Sequence, residues 1–122
     1  MNYLKKRKSA FGYALKGLKA FFRDEDHPKF HAIAGILAVI LGFSFNLNSI
    51  EWIAVIFCVA LVLSFEAINS ALEQLTDIAS PSYLESAGKV KDIAAGAVLI
   101  SSVAAGIIGL IIFVPKFLEI LP

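Results

Sequence analysis

The distribution of hydrophobic and polar positions divides the chain into three long apolar runs and one mixed N-terminal segment. A helix needs about 20 residues to cross the hydrocarbon core of a bilayer, and each run reaches that length with its flanking residues. The pattern therefore predicts membrane helices at residues 28–47, 50–77 and 91–114. Pro115 is predicted to end the last helix, because proline has no amide hydrogen to donate.

The N-terminal segment has a different pattern, which predicts an amphipathic helix over residues 3–23. Its apolar residues recur at spacings of three, four and seven, and lysines occupy much of the remaining surface. Those apolar residues are Leu4, Phe11, Leu15, Leu18 and Phe22. Such a helix either lies on the membrane surface or packs against the membrane helices, and the pattern leaves both arrangements open.

Composition supports a single membrane domain over residues 1–122. Hydrophobic residues make up 58% of the chain, and the mean hydropathy is +0.78. The net charge of +1 provides no basic surface for nucleic acid, so that class of partner is excluded. Cys58 is the single cysteine and lies inside an apolar run, where we interpret it as a packing residue.

The basic residues predict how the three helices are oriented. Of the 11 lysines and arginines, eight precede the first apolar run and two lie between the second and third. Basic residues are enriched in cytoplasmic loops of membrane proteins. The N-terminus and the second loop are therefore predicted to be cytoplasmic, and the C-terminus is predicted to lie outside.

A stripe of polar side chains interrupts the second membrane helix. Its members are spaced three, four and four residues apart, so they fall within about 80° of one another on a helix. They are Glu66, Asn69, Glu73 and Asp77. An ionised side chain at the membrane centre costs at least about 2.5 kcal/mol, so three carboxylates on one face need a compensating partner.

A divalent cation is the natural partner for such oxygen ligands, and the deepest acid, Glu66, suits a general base. The alternative is a helix that has already left the membrane and presents a solvated face. The apolar stretch that precedes Glu66, residues 52–65, has only 14 residues. That is too few for a membrane span, which favours a position of Glu66 inside the span.

Two further charged segments, residues 23–27 and 88–92, lie on the same predicted side of the membrane. Each alone is weak evidence, because an interfacial lysine is usually a membrane anchor. Together they place acids and lysines around one interfacial point, where a metal-bound polyphosphate could meet lipid headgroups. The sequence has no P-loop motif, so a nucleotide site would be of another kind.

These segments resemble the small prokaryotic diacylglycerol kinase family, which includes the undecaprenol kinases of Gram-positive bacteria. The segment 66–73 with Asp77 looks like the family signature, and residues 91–98 match at the family's spacing. Single residues that also match are Tyr13, Glu25 and Tyr83. The likeness covers nearly the whole chain.

The resemblance implies an all-α enzyme of the bacterial plasma membrane, a homotrimer whose subunits each have a surface helix and three membrane helices. It implies transfer of the γ-phosphate of ATP, with Mg²⁺, to a lipid hydroxyl at the cytoplasmic interface. The product would be phosphatidic acid from diacylglycerol or undecaprenyl phosphate from undecaprenol. By resemblance, Glu66 is the general base supported by Asn69, and Glu25 and Glu73 hold the metal.

The resemblance also implies contacts for both substrates. Those expected to contact ATP are Tyr13, Glu25, Glu73, Asp77, Tyr83, Lys91 and Asp92, and those expected at the lipid are Glu66 and Ala95. Three positions depart from the family pattern, namely Leu84, His27 and Pro28. Four features look more like the undecaprenol-kinase branch: Lys29, His31, residues 51–52 and residues 113–116.

Two other classes of function compete with the kinase. A small transporter or ion-conducting subunit could line its pathway with the acidic stripe, but a pathway needs polar groups along the full membrane depth. Here the polar groups gather at one interface. A non-catalytic adaptor would present the acids as a solvated face, which does not explain the matches at family spacing.

Overall fold

The computed structural model describes residues 2–122, and within that range the chain forms four helices and no strand. They are α1 (Tyr3–Asp24), α2 (His27–Ser44), α3 (Ser49–Ala79) and α4 (Glu85–Glu119). Helices α2, α3 and α4 are long and apolar enough to cross a membrane. The predicted all-α membrane architecture is therefore confirmed.

Helix α3 is the central element, because it packs along α4 and along α2. The buried apolar core of the described chain is small and centres on Leu47, Val55 and Ile112. Most other large apolar side chains of the three membrane helices point outward, as expected where lipid rather than water surrounds a helix.

The turn between α2 and α3 is tight and closely packed. Asn46 adopts a left-handed backbone conformation with φ of 53°, which asparagine tolerates better than most residues. Asn48 and Glu51 then form a reciprocal capping box at the start of α3. A Cβ atom at Gly42 would lie 2.6 Å from the ring of Trp52, so glycine is required where α2 meets α3.

Helix α4 is longer at both ends than the predicted span of residues 91–114. It begins at Glu85, and it continues through Pro115 to Glu119. The prediction that Pro115 ends the helix was therefore wrong. Membrane helices accommodate proline because neighbouring groups and small local adjustments satisfy the freed carbonyl. Near this end, Lys116 Nζ lies 3.1 Å from Glu51 Oε1 and joins α4 to the start of α3.

Helix α1 has no buried residue and contacts α2 and α3 only sparsely. Its apolar face, which includes Leu4, Phe11 and Leu15, is exposed in the described chain. The sequence left two arrangements open for this helix. Within a single chain, α1 does not pack along the bundle. An unpartnered amphipathic face suits contact with a membrane surface.

Candidate active site

All four helices and the α1–α2 linker line a polar pocket of about 220 Å³. The α1–α2 linker contributes Glu25, α3 contributes Glu66, Asn69 and Glu73, and α4 contributes Ala95. Because α3 carries its polar stripe toward the linker, acids that are far apart in the sequence face a common space. The structure thus brings together the predicted base, both predicted metal ligands and the predicted lipid contact.

Glu66 is buried, with only 8% of its surface exposed. It lies about 26 Å along the helix from Ser49, which is less than the roughly 30 Å thickness of the hydrocarbon core. The alternative of a solvated face at this residue is therefore excluded. Its Oε1 atom is 3.1 Å from Nε2 of His31, on the neighbouring helix α2.

Glu25 is held in the pocket by a residue of α3. The hydroxyl of Ser70 donates a hydrogen bond of 2.8 Å to Glu25 Oε1, and Ser70 itself is 6% exposed. The adjacent acid, Asp24, instead accepts a hydrogen bond from Arg23, which lowers the pKa of its exposed carboxyl. Of these two neighbouring acids, Glu25 is the one that lines the pocket.

Glu73 lies one helical turn beyond Asn69 on the same stripe. The Asn69 amide donates to Glu73 Oε1 at 3.4 Å, whereas its carbonyl oxygen, Oδ1, is buried without a hydrogen-bond partner. A buried polar atom of this kind costs free energy unless a ligand or water satisfies it. The pocket is therefore lined by three carboxylates and one side-chain amide.

Farther along the same helices, Lys91 of α4 forms an ion pair with Asp77 of α3. This pair joins two of the predicted nucleotide contacts across the helix interface. Asp92, the next residue, is exposed. Lys91, Asp77 and Asp92 thus extend the group of charged residues from the pocket toward the α3–α4 linker.

An apolar cavity of about 380 Å³ lies between α2, α3 and α4, beside the polar pocket. Its lining includes Gly35, Val59 and Gly106 along the membrane depth, and His31 at one end. Since His31 lies beside Glu66, this residue marks where the apolar cavity approaches the acidic pocket.

Comparison with known proteins identifies the family of the chain. A family model described as prokaryotic diacylglycerol kinase matches residues 12–113. The chain belongs to the prokaryotic diacylglycerol kinase family. It is 36% identical to the undecaprenol kinase of Bacillus subtilis over 94% of both chains. It is also 34% identical to the diacylglycerol kinase of Escherichia coli K12, over 79% of both chains.

The protein is accordingly a membrane lipid kinase that uses ATP. This membership does not favour the transporter alternative. A lipid kinase also needs a site that positions ATP and neutralises its charge, because phosphoryl transfer depends mainly on these two effects.

Five of the predicted nucleotide contacts do not line the polar pocket, namely Tyr13, Asp77, Tyr83, Lys91 and Asp92. Tyr13 on α1 is 73% exposed, and Tyr83 in the linker before α4 is 90% exposed. A single chain therefore does not bring their rings to the acids, and both roles stay predictions.

The structure adds two residues that the sequence analysis did not place in the site of the kinase. Ser70 borders the acidic stripe, and its contact with Glu25 spans 45 residues of sequence, so no local pattern indicates it. His31 was noticed only as a likeness to one branch of the family. A signal was available, since His31 is the sole ionisable residue between Lys29 and Glu51.

Proposed function

We propose that this kinase transfers the γ-phosphate of MgATP to the hydroxyl of a membrane lipid at the cytoplasmic interface, with Glu66 as the general base. The observation that carries the proposal is the position of Glu66, a buried carboxylate between an acidic pocket and an apolar cavity. A base there can meet a lipid hydroxyl from one side and a phosphate from the other.

In the proposed reaction, Glu66 accepts the proton of the lipid hydroxyl while the lipid oxygen bonds to the γ-phosphorus. The bond from that phosphorus to the bridging oxygen breaks, and ADP leaves with the bond's electrons. Burial of Glu66 keeps water from competing as the phosphate acceptor. Asn69 supports the site by holding Glu73 through its amide.

The donor set suits a hard divalent cation such as Mg²⁺. Such an ion is usually held by one or two carboxylates together with substrate phosphates and water. Glu25 and Glu73 line one pocket, and the buried Asn69 Oδ1 lacks a partner. Across residues 2–122 no group of three acids, histidines or cysteines is arranged as a metal site, so phosphates would complete the shell. Bound there, the cation would neutralise charge on the ATP phosphates.

We infer that the charged and aromatic residues outside the pocket that match the family pattern contact the nucleotide. Lys91 is held at the helix interface by Asp77, and its ammonium group can move to a phosphate at short range. Asp92, Tyr13 and Tyr83 would contact the rest of the nucleotide. The exposure of both tyrosines is consistent with contacts that a bound nucleotide or another subunit completes.

The acceptor that we favour is undecaprenol rather than diacylglycerol. The identity to the Bacillus subtilis undecaprenol kinase extends over 94% of both chains. We propose that the apolar cavity of about 380 Å³ receives the hydroxyl end of the single methyl-branched isoprenoid chain, whereas a glycerolipid would bring two acyl chains to it. Ala95, which lines the pocket from α4, would leave room for the headgroup carbon.

The enzyme would act as a homotrimer in the bacterial plasma membrane, with the N-terminus cytoplasmic and the C-terminus outside. The many outward-facing apolar residues of α2–α4 leave surface for other subunits as well as for lipid. Small residues on α4, such as Gly106 and Gly109, allow close helix approach.

The decisive experiment measures phosphate transfer from labelled ATP in mixed micelles with undecaprenol or diacylglycerol as the separate acceptor. We expect a higher kcat/KM with undecaprenol, and a loss of about 100-fold or more in the Glu66→Gln variant, which keeps the size of the side chain. A higher kcat/KM with diacylglycerol would overturn the choice of lipid. Near-normal activity of Glu66→Gln would overturn the assignment of the base.

A further inference from the structure

Glu66 has one ionisable neighbour on another helix within hydrogen-bonding distance. His31 Nε2 lies 3.1 Å from Glu66 Oε1, and the side chains are 23% and 8% exposed. The separation is short enough for a charge-assisted hydrogen bond, which a small rotation of the ring would align. His31 and Glu66 lie 35 positions apart on helices of opposite direction, so the contact depends on the packing of α2 against α3.

The environment of His31 holds its ring in a defined position. The ring of Phe30 packs edge-on against it, with centroids 5.4 Å apart and an interplanar angle of 78°. One side of His31 lines the apolar cavity, where α4 contributes the neutral residues Ser102 and Ala105. A polar ring at the end of an apolar cavity needs a polar partner, and Glu66 provides it.

The other charged groups near Glu66 do not substitute for His31. The linker contributes Glu25 and α3 contributes Glu73 to the same pocket, and both are acids that would oppose ionisation of a third. From α4, Ala95 and Val98 line the pocket and carry no charge. His27 lines the pocket one turn before His31, but its contacts do not include an ion pair with Glu66 in the described chain.

We propose that His31 is a positioning residue for the general base: its Nε2–H donates to Glu66 Oε1 and leaves Oε2 to accept the proton of the lipid hydroxyl. This inference rests on the proposed role of Glu66. His31 keeps its own proton throughout, so the balance of the transfer reaction is unchanged. The donor stabilises the ionised carboxylate in a buried setting and fixes its orientation at the end of the lipid cavity.

A merely structural role predicts something different. If the pair only ties α2 to α3, its loss lowers stability and leaves the kcat of the folded protein alone. If His31 acts on the base, its loss lowers kcat, whereas the KM for ATP is little changed. A glutamine at this position can still donate a hydrogen bond through its amide, whereas a leucine cannot.

The test measures kcat, the KM for ATP, ATP binding and thermal unfolding of wild type, His31→Leu and His31→Gln in undecaprenol-containing micelles. We expect His31→Leu to lose about 10- to 100-fold in kcat, the size of a lost hydrogen bond to a charged group. The KM for ATP should stay close to the wild-type value. His31→Gln should recover most of the loss in kcat.

Ser44→Ala is the matched control, because it removes a polar group from the same helix, α2. The hydroxyl of Ser44 donates a hydrogen bond only to the carbonyl of Ile40. It should retain wild-type turnover. A wild-type kcat in folded His31→Leu would overturn the proposal, and so would equal losses of kcat in both His31 variants. Inactive wild type, or an active Glu66→Gln, would instead locate the failure in the proposed function or base.

Discussion

At the residue scale, the site is built by pairs in which one side chain fixes another. Ser70 holds Glu25, Asn69 holds Glu73, and His31 lies against Glu66. Each pair places a neutral or cationic donor on a carboxylate, which lowers the cost of keeping acids close together in a partly buried pocket. The acids are therefore oriented before any ligand binds, which is what phosphoryl transfer requires of a protein.

The contact between Ser70 and Glu25 predicts an effect on metal activation. In Ser70→Ala, Glu25 loses the donor that fixes it, so the Mg²⁺ concentration for half-maximal activity should rise by about 3- to 10-fold. The measurement is a magnesium titration of kinase activity at saturating ATP and lipid.

Ser101→Ala controls for the loss of a buried serine in a membrane helix. Ser101 is 4% exposed, and its hydroxyl bonds only the Val98 carbonyl of its own helix. Its magnesium titration should match that of wild type. If Ser70→Ala gave the same curve as Ser101→Ala, Ser70 would have no role in placing Glu25.

At the element scale, α3 does two tasks with two different halves. Its first half is apolar and carries the core residues Val55 and Val62, while its second half carries the polar stripe. The end near the α2–α3 turn is secured by the capping box of Asn48 and Glu51 and by the ion pair of Glu51 with Lys116. The small apolar core, the capping box and this ion pair thus lie toward the end of the bundle opposite the acids.

This division predicts that Asn48→Ala affects stability and not catalysis. Loss of an N-cap costs about 1 kcal/mol, and the site lies more than four turns away along α3. Thermal unfolding in detergent should show a lower midpoint, while kcat at a temperature well below it should stay within about twofold of wild type. A large fall in kcat of folded protein would contradict the separation of the two halves.

At the scale of the whole molecule, one chain leaves much apolar surface uncovered. The outward faces of the three membrane helices and the apolar face of α1 are both exposed. A bilayer covers such surfaces without cost, so the same composition that would cause a water-soluble domain to aggregate is appropriate here.

The proposed orientation can be tested with single cysteines in a Cys58→Ser background. We treat intact cells with a maleimide that reaches the outer face of the plasma membrane but does not cross it. This reagent should label Leu121→Cys and not Lys8→Cys. Both should be labelled after lysis. Labelling of Lys8→Cys in intact cells would contradict the orientation indicated by the basic residues.

The sequence by itself determined the class, the helices and the acidic stripe of this protein, because these follow from local periodicity. Glu66, Asn69 and Glu73 share a helix face at any packing. The sequence failed at the ends of α4, where neighbouring groups decide whether a helix continues through Pro115. It also could not show that Ser70 reaches Glu25 or that His31 reaches Glu66. Those contacts join separate elements, so only the packing of α2, α3 and the α1–α2 linker decided them.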